Sequence, residues 1–310
     1  MPDTAPLRLN HEARDDRFPQ SWYPMALARE VAPGALIGVD FLGTRVILYR
    51  DADGRPVVQS AYCPHLGADL SLGQMVDRRV RCPFHHWSFA ADGRCAHVPT
   101  GDKIPPGAVI ATYPSAEAWG LIWAFNGTTP LFPPPRIPDT NEADLVFESN
   151  LWGPRPVDSW LSVSNGVDFQ HLRTLHNLPA EPPEMVEVGP YGLEYQAENP
   201  SYSQHGLVTG TNCFAQHIHR AAGDAWMLFT GRAVAPRRSM SYYVVGVSPG
   251  AGAEQRLAAV KAFTIRLIEE DAPILNTIRF RKGTLVASDR SLARFFKYVE
   301  DFPVASALDG

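Results

Sequence analysis

The feature that most constrains this chain is a pair of short loops, each offering one thiol and one imidazole. Cys63-Pro64-His65 comes first, and Cys82-Pro83-Phe84-His85 follows after sixteen intervening residues. Two such pairs on neighbouring loops can hold one tetrahedral zinc ion as a Cys2His2 site. They can equally hold a [2Fe–2S] cluster, with two cysteines on one iron and two histidines on the other. The surroundings favour the cluster. Zinc knuckles sit in small polar modules, whereas each pair here is embedded in apolar sequence, with Leu66-Gly67 after one and Trp87 near the other. Pro64 and Pro83 stiffen the loops, and Gly67 permits a close backbone turn. Backbone N–H groups in such loops can face the sulfurs and tune the potential. Charge counting points the same way. Two ferric ions, two sulfides and two thiolates sum to zero, so this cluster accepts an electron more readily than an all-cysteine one.

The sequence around the loops reads as short strands. Val39 to Tyr49 is β-rich around a break at Gly43, and Asp53-Gly54 is a hairpin signal between Leu48-Tyr49 and Val57-Val58. Asp92-Gly93 is a second hairpin signal, and Gly120 to Phe125 reads as a buried strand. Residues 130–138 hold five prolines in nine positions, a stiff extended run that suits an inter-domain connection. Beyond it come a helical stretch over 160–176, a β-rich run from about 186 to 265, and a helix after Asp271. This order predicts an α+β protein: a polar lead-in over 1–20, an all-β domain over 21–135, and a second domain over 136–310 built on an antiparallel sheet. No internal repeat is visible.

That second half carries its own cluster of ligand-type residues. In the run from Asn165 through Asp168 and His171 to His176, the first three are spaced by three and would share a helix face. His176 follows His171 by five, about 140° away on an ideal helix. For both imidazoles to reach one ion, the helix must end or bulge between them, and Pro179 fits a helix that stops there. Two histidines and a carboxylate on one face of an iron leave positions open for dioxygen. Asp168 is one candidate carboxylate, but beside His171 it is better placed to hydrogen-bond an imidazole.

Together, the stretches 63–70 (CPHLGADL), 82–89 (CPFHHWSF) and 92–95 (DGRC) resemble the Rieske domain of ring-hydroxylating and related oxygenases. The Asn-x-x-Asp-x-x-His-x-x-x-x-His pattern resembles their catalytic motif. The resemblance covers nearly the whole chain and is closest to the branch with ketosteroid hydroxylases and cholesterol desaturases. It implies a Rieske domain followed by a helix-grip-like catalytic domain. Cys63, His65, Cys82 and His85 would hold the [2Fe–2S] cluster. His171 and His176 would hold a mononuclear Fe(II), with Asn165 near it. The third ligand would be an Asp at the start of the C-terminal helix, which Asp271 matches; Glu270 is the fallback. Asp271 before Ala-Pro is also a good helix N-cap. The resemblance further implies a ring-shaped homotrimer, in which His85 of one subunit contacts Asp168 of the next and Asp168 contacts His171, so an isolated monomer would be inactive.

One departure is His86, where the family more often has Gly or Asp. His86 and His97 are expected at the surface or a subunit interface, and Cys95 and Cys213 as buried structural residues. Along a strand at 213–219, Cys213, Ala215, His217 and His219 share a face, so His217 and His219 would line the substrate pocket or face a neighbour. Trp226, Met227 and Phe229 read as core.

The implied reaction consumes O2 and two electrons to hydroxylate a small hydrophobic organic substrate. Demethylation, desaturation and dihydroxylation are open on the same scaffold. NAD(P)H would act through a ferredoxin or flavin reductase, since the chain has no nucleotide motif. A net charge of −5 without a basic run argues against nucleic acid. The absence of an eighteen-residue apolar stretch and of a secretory pattern predicts a cytoplasmic protein with no membrane span. An electron carrier and a zinc-stabilised structural protein are the competing classes.

Overall fold

The computed structural model describes residues 17–281 and 283–308. The first half is built from small antiparallel sheets. One runs in the order Thr112–Tyr113, Pro56–Ser60, Thr44–Arg50, Ile37–Phe41, and another in the order Ser115–Ala118, Leu121–Phe125, Trp22–Leu27. The hairpin at Asp53-Gly54 forms as the sequence predicts, pairing Leu48 with Val58 and Tyr49 with Val57. A third sheet, Gln74–Val76, Arg79–Arg81, Ser88–Phe89, Cys95–His97, carries the second cysteine loop, with the Asp92-Gly93 turn between its last two strands.

The second half is dominated by a seven-stranded antiparallel sheet. Its order is Val146–Arg155, Arg238–Val247, Ala225–Ala235, Cys213–His219, Ser203–Thr209, Gly192–Glu198, Val186–Glu187. Because side chains alternate across a strand, this sheet has two different faces. Cys213, Ala215, Trp226, Leu228, Tyr242 and Val244 pack against Trp22, Leu121 and Trp123 of the first half. Their neighbours in sequence, such as Phe214, Met227 and Tyr243, point the other way, into cores shared with the helices. Those helices are α1 (Ser159–Ser164), α2 (Phe169–Thr174), α3 (Ala253–Leu275) and α4 (Arg290–Asp301). The α+β expectation holds.

Three expectations need correction. The β-rich run ends at Val247, and residues 253–275 are helix. Leu257, Val260, Thr264 and Ile268 recur at helical spacing and bury one side of α3 against the sheet. Asp271 therefore lies near the end of that helix, not at the start of a new one, and Pro273 falls in its last turn, where the helix is about to stop. The lead-in is partly built: Arg17–Pro19 pairs with Val304–Ser306. Asn126 and Tyr113 tie the 305–308 segment down as well. Residues 1–16 of the lead-in lie outside the described residues. The proline-rich run, expected to be stiff and extended, forms no regular element and is anchored by the indoles of Trp22 and Trp119 on the Phe132 and Pro135 carbonyls.

Two candidate metal centres

The two cysteine loops are built alike. In the first, Cys63 N–H donates to the Ala68 carbonyl and Gly67 N–H returns to the Cys63 carbonyl. In the second, Cys82 N–H donates to Trp87 and His86 N–H returns to Cys82. Gly67 and His86 thus occupy equivalent corners, four residues after each cysteine. Both have left-handed backbone, with φ of +74° and +58°. The corner explains why glycine suits position 86, and His86 accepts a strain of about 1–2 kcal/mol there. Its side chain is exposed, as is that of His97.

Cys63 and Cys82 are buried, while His65 and His85 stand exposed at the tip. The imidazoles are 4.6 Å apart, and His65 stacks on Trp87 at 4.5 Å. Burial pushes the Cys63 thiol up to about 11, with Cys82 adding to it, while the N–H groups of His65 and Leu66 facing the sulfur oppose the rise. Such inward N–H groups suit a bound thiolate. The two thiols thus lie together beneath the two imidazoles, an arrangement that suits a cluster with its histidines on the outer iron.

In the second half, His171, His176 and Asp271 bring three ligand-type atoms within 4.8 Å of one another. Asp168 breaks the helix, with φ −94° and ψ 86°, so Asn165 belongs to the preceding turn. Asn165 and His171 consequently do not share one helix face, contrary to the spacing argument. The expected end of the helix between the histidines is present: α2 stops at Thr174 and Asn177 turns left-handed.

Each histidine is oriented by an acceptor at Nδ1. His171 Nδ1 lies 2.7 Å from the Asp168 carbonyl, and His176 Nδ1 lies 2.6 Å from Glu270 Oε2. Both partners accept, so each Nδ1 is placed to donate, and the Nε2 atoms are the ones turned toward each other and toward Asp271. The Glu270 carboxyl is held below its usual range chiefly by that hydrogen bond. Glu270 is thus a positioning partner of His176 rather than the facing carboxylate.

The two Nε2 atoms are 3.1 Å apart, and Asp271 Oδ1 is 3.0 Å from one and 3.6 Å from the other. Asn165 Nδ2 donates to Asp271 Oδ2 at 2.9 Å, which turns Oδ1 inward, where it is buried without a hydrogen-bond partner. Three ligand-type atoms gathered this closely suit a shared cation. Ligands about 2.1 Å from an ion and at right angles are about 3.0 Å apart, so the residues fit one face of a metal. Asp168 departs from expectation in one respect. Its carboxylate caps α2 by accepting the His171 N–H at 3.0 Å, and its carbonyl, not its carboxylate, holds the imidazole.

A cavity of about 120 Å³ opens beside this centre between α1, α3 and the sheet, lined by His171, His176, Asp271, Phe214, Phe229 and Leu267 among others. Phe229, read as core, lines it; Trp226 and Met227 are buried as expected. His217 and His219 do not line it. They lie on the opposite sheet face and pair with Asp139 and Asp224 at 2.7–3.1 Å. The period-two reading grouped them correctly, but of its two outcomes the pocket one does not hold, because the even-numbered residues Phe214 and Gln216 face the cavity. Sequence reasoning also missed Arg155, Gln204 and Gln216 in the wall. Only the alternation of the surrounding strands would have marked them.

Comparison with known proteins agrees with this geometry. Residues 21–114 match the Rieske [2Fe–2S] domain model. A cholesterol 7-desaturase nvd of Bombyx mori is 38% identical over 172 residues, covering 52% of this chain and 36% of the relative. A probable 3-ketosteroid-9-alpha-monooxygenase, oxygenase component, of Rhodococcus rhodochrous is 32% identical over 170 residues, covering 52% of this chain and 42% of the relative. The matches thus span less than half the length of these curated relatives. The solved structure of a Pseudomonas putida CBB5 NdmA mutant with theobromine superposes with a TM-score of 0.81 over 91% of this chain and 90% of that one, at 18% identity, a likeness of fold. Residues 21–114 are therefore a Rieske [2Fe–2S] domain, in a chain whose sequence relatives are named as a desaturase and an oxygenase component and whose fold is like that of NdmA.

Proposed function

We propose that this chain is the terminal oxygenase of a multicomponent Rieske system, with the domain division near residue 135. In this reading Cys63, His65, Cys82 and His85 hold the cluster, and His171, His176 and Asp271 hold a mononuclear iron. The observation that carries it is the convergence of three ligand atoms, from His171, His176 and Asp271, beside a largely apolar cavity. When bound, the cluster supplies electrons singly and the iron supplies dioxygen chemistry. The chain's own residues do the rest. The Asp168 carbonyl and Glu270 fix the imidazole tautomers, Asn165 fixes the Asp271 carboxylate, and the cavity wall excludes water from an organic substrate. The overall change is substrate, O2, two electrons and two protons giving hydroxylated product and water. The electrons come from NAD(P)H through a ferredoxin or flavin reductase, which suits a cytoplasmic protein; among the described residues no helix is long and apolar enough to cross a membrane.

A homotrimer belongs to the same reading. Exposed Leu66 and Phe84 surround the cluster histidines, and exposed Leu175 and Ile274 lie around the opening that Asp168 lines. Apolar patches of this kind suit a closed contact between neighbouring subunits. An electron carrier would leave the second centre without a purpose.

The test is anaerobic purification with iron, sulfide and zinc analysis and EPR of the reduced protein. The expected result is a rhombic signal with about three irons and two sulfides per chain. H171A and H176A should each fall to about two irons with the signal intact. Two irons in the unaltered protein would reduce it to a carrier, and zinc without sulfide would remove both centres.

A further inference from the structure

Arg155 is the most unusual side chain in the cavity wall. It ends the first strand of the large sheet on the cavity side, opposite Ser239, and only 6% of it is exposed. Among the described residues no acceptor is seen hydrogen-bonded to its guanidinium, and its Nε is buried without a partner. Arg232, also deeply buried near this sheet and also unpartnered at Nε, differs at the guanidinium tip, where Nη1 donates to the Met25 carbonyl and the Tyr242 hydroxyl. Ser162 of α1, also in the cavity wall, has a buried hydroxyl with no partner. Burial lowers the Arg155 pKa and the nearby Asp271 raises it, but guanidinium stays charged in any protein. Asp271 is the acid whose field reaches Arg155, and in the reading above its charge belongs to the metal.

We propose that the cavity takes an organic acid, an apolar body bearing a carboxylate that Arg155 grips and Ser162 supports. The planar guanidinium fork matches a carboxylate through two parallel N–H bonds, which a neutral ligand cannot provide. A neutral occupant would bury the cation further without pairing it. Val163, Leu172, Phe214, Phe229 and Leu267 would hold the apolar body. The inference deepens the proposed function and rests on it only for the metal's claim on Asp271.

The test uses the purified full chain with its metals and the probes benzoate, phenylacetate and octanoate, each against its primary amide. Binding is read by calorimetry and thermal shift for the unaltered protein, R155Q, R155K and R155M. At least one acid should bind more tightly than its amide. R155Q and R155M should weaken acid binding roughly 30-fold or more and leave amide binding unchanged, with R155K intermediate. R155M should also melt no lower than the unaltered protein when ligand-free, because it removes an unpaired buried charge. Equal binding of acids and amides, an acid preference that survives R155Q, or acid binding that depends on His171 and not on Arg155 would each overturn the proposal. A large loss of stability in R155M would do the same, since it would mean that Arg155 is structural. Iron and sulfide analysis of the same samples keeps the two readings apart: full iron without acid preference overturns only this one.

Discussion

At the scale of single residues, the second centre is governed by what lies behind its ligands. His171 and His176 present their Nε2 atoms only because acceptors occupy both Nδ1 positions, and Asp271 presents Oδ1 only because Asn165 holds Oδ2. Partners of this kind typically change metal affinity by about 10–100-fold. N165A is therefore expected to lose mononuclear iron on dialysis against a chelator, with affinity down by about that factor, while sulfide content and the cluster EPR signal stay unchanged. Iron retention equal to that of the unaltered protein would mean that Asp271 is oriented by its helix alone.

Among the elements, the joint between the proline-rich run and the large sheet has a clasp. Asp139 Oδ2 accepts from His205 at 2.9 Å and His217 at 3.0 Å, which tie it to the adjacent strands Ser203–Thr209 and Cys213–His219. Burial raises the Asp139 pKa, but the two histidine contacts outweigh it and hold the carboxyl below its usual range. A carboxylate with a depressed folded pKa stabilises fully above its unfolded value and loses that contribution as pH falls through the folded one. The melting temperature should thus exceed that of D139N near neutrality, and the gap should close as pH drops below about 3.9. Paired thermal melts over that range check it; a gap independent of pH would show that Asp139 acts by packing only. Here His217, expected at the substrate pocket or against a neighbour, holds the linker.

For the whole molecule, the exposed histidine tip of the first half and the cavity of the second must cooperate, and the proposed trimer is the means. An L66D/F84D double variant is expected to run as a monomer in light scattering, keep its cluster spectrum, and lose turnover by about 100-fold or more. A monomeric unaltered protein with full turnover would end the trimer reading. Within one chain, integration is already extensive: the sheet's outer face is buried on the first half, and the strand at 304–306 returns to pair with 17–19. A boundary drawn at one residue near 135 therefore describes the order along the chain better than the packing.

The sequence by itself determined the two Cys/His loops, the hairpins at Asp53-Gly54 and Asp92-Gly93, the α+β order, and the break in helix between His171 and His176. All of these depend on residues within a few positions of one another, where turn chemistry and ligand spacing act directly. It did not determine which face of the 213–219 strand meets the cavity, because period two marks two faces without saying which is covered by what. Nor could it place Asp271, since Asp-Ala-Pro reads equally as a helix start and as the last turns of a helix begun eighteen residues earlier. The partners Glu270 and Asn165, and the unpaired Arg155, were settled only when residues about a hundred positions apart packed around one cavity. Burial and hydrogen bonding between distant segments decide such roles, and no local pattern encodes them.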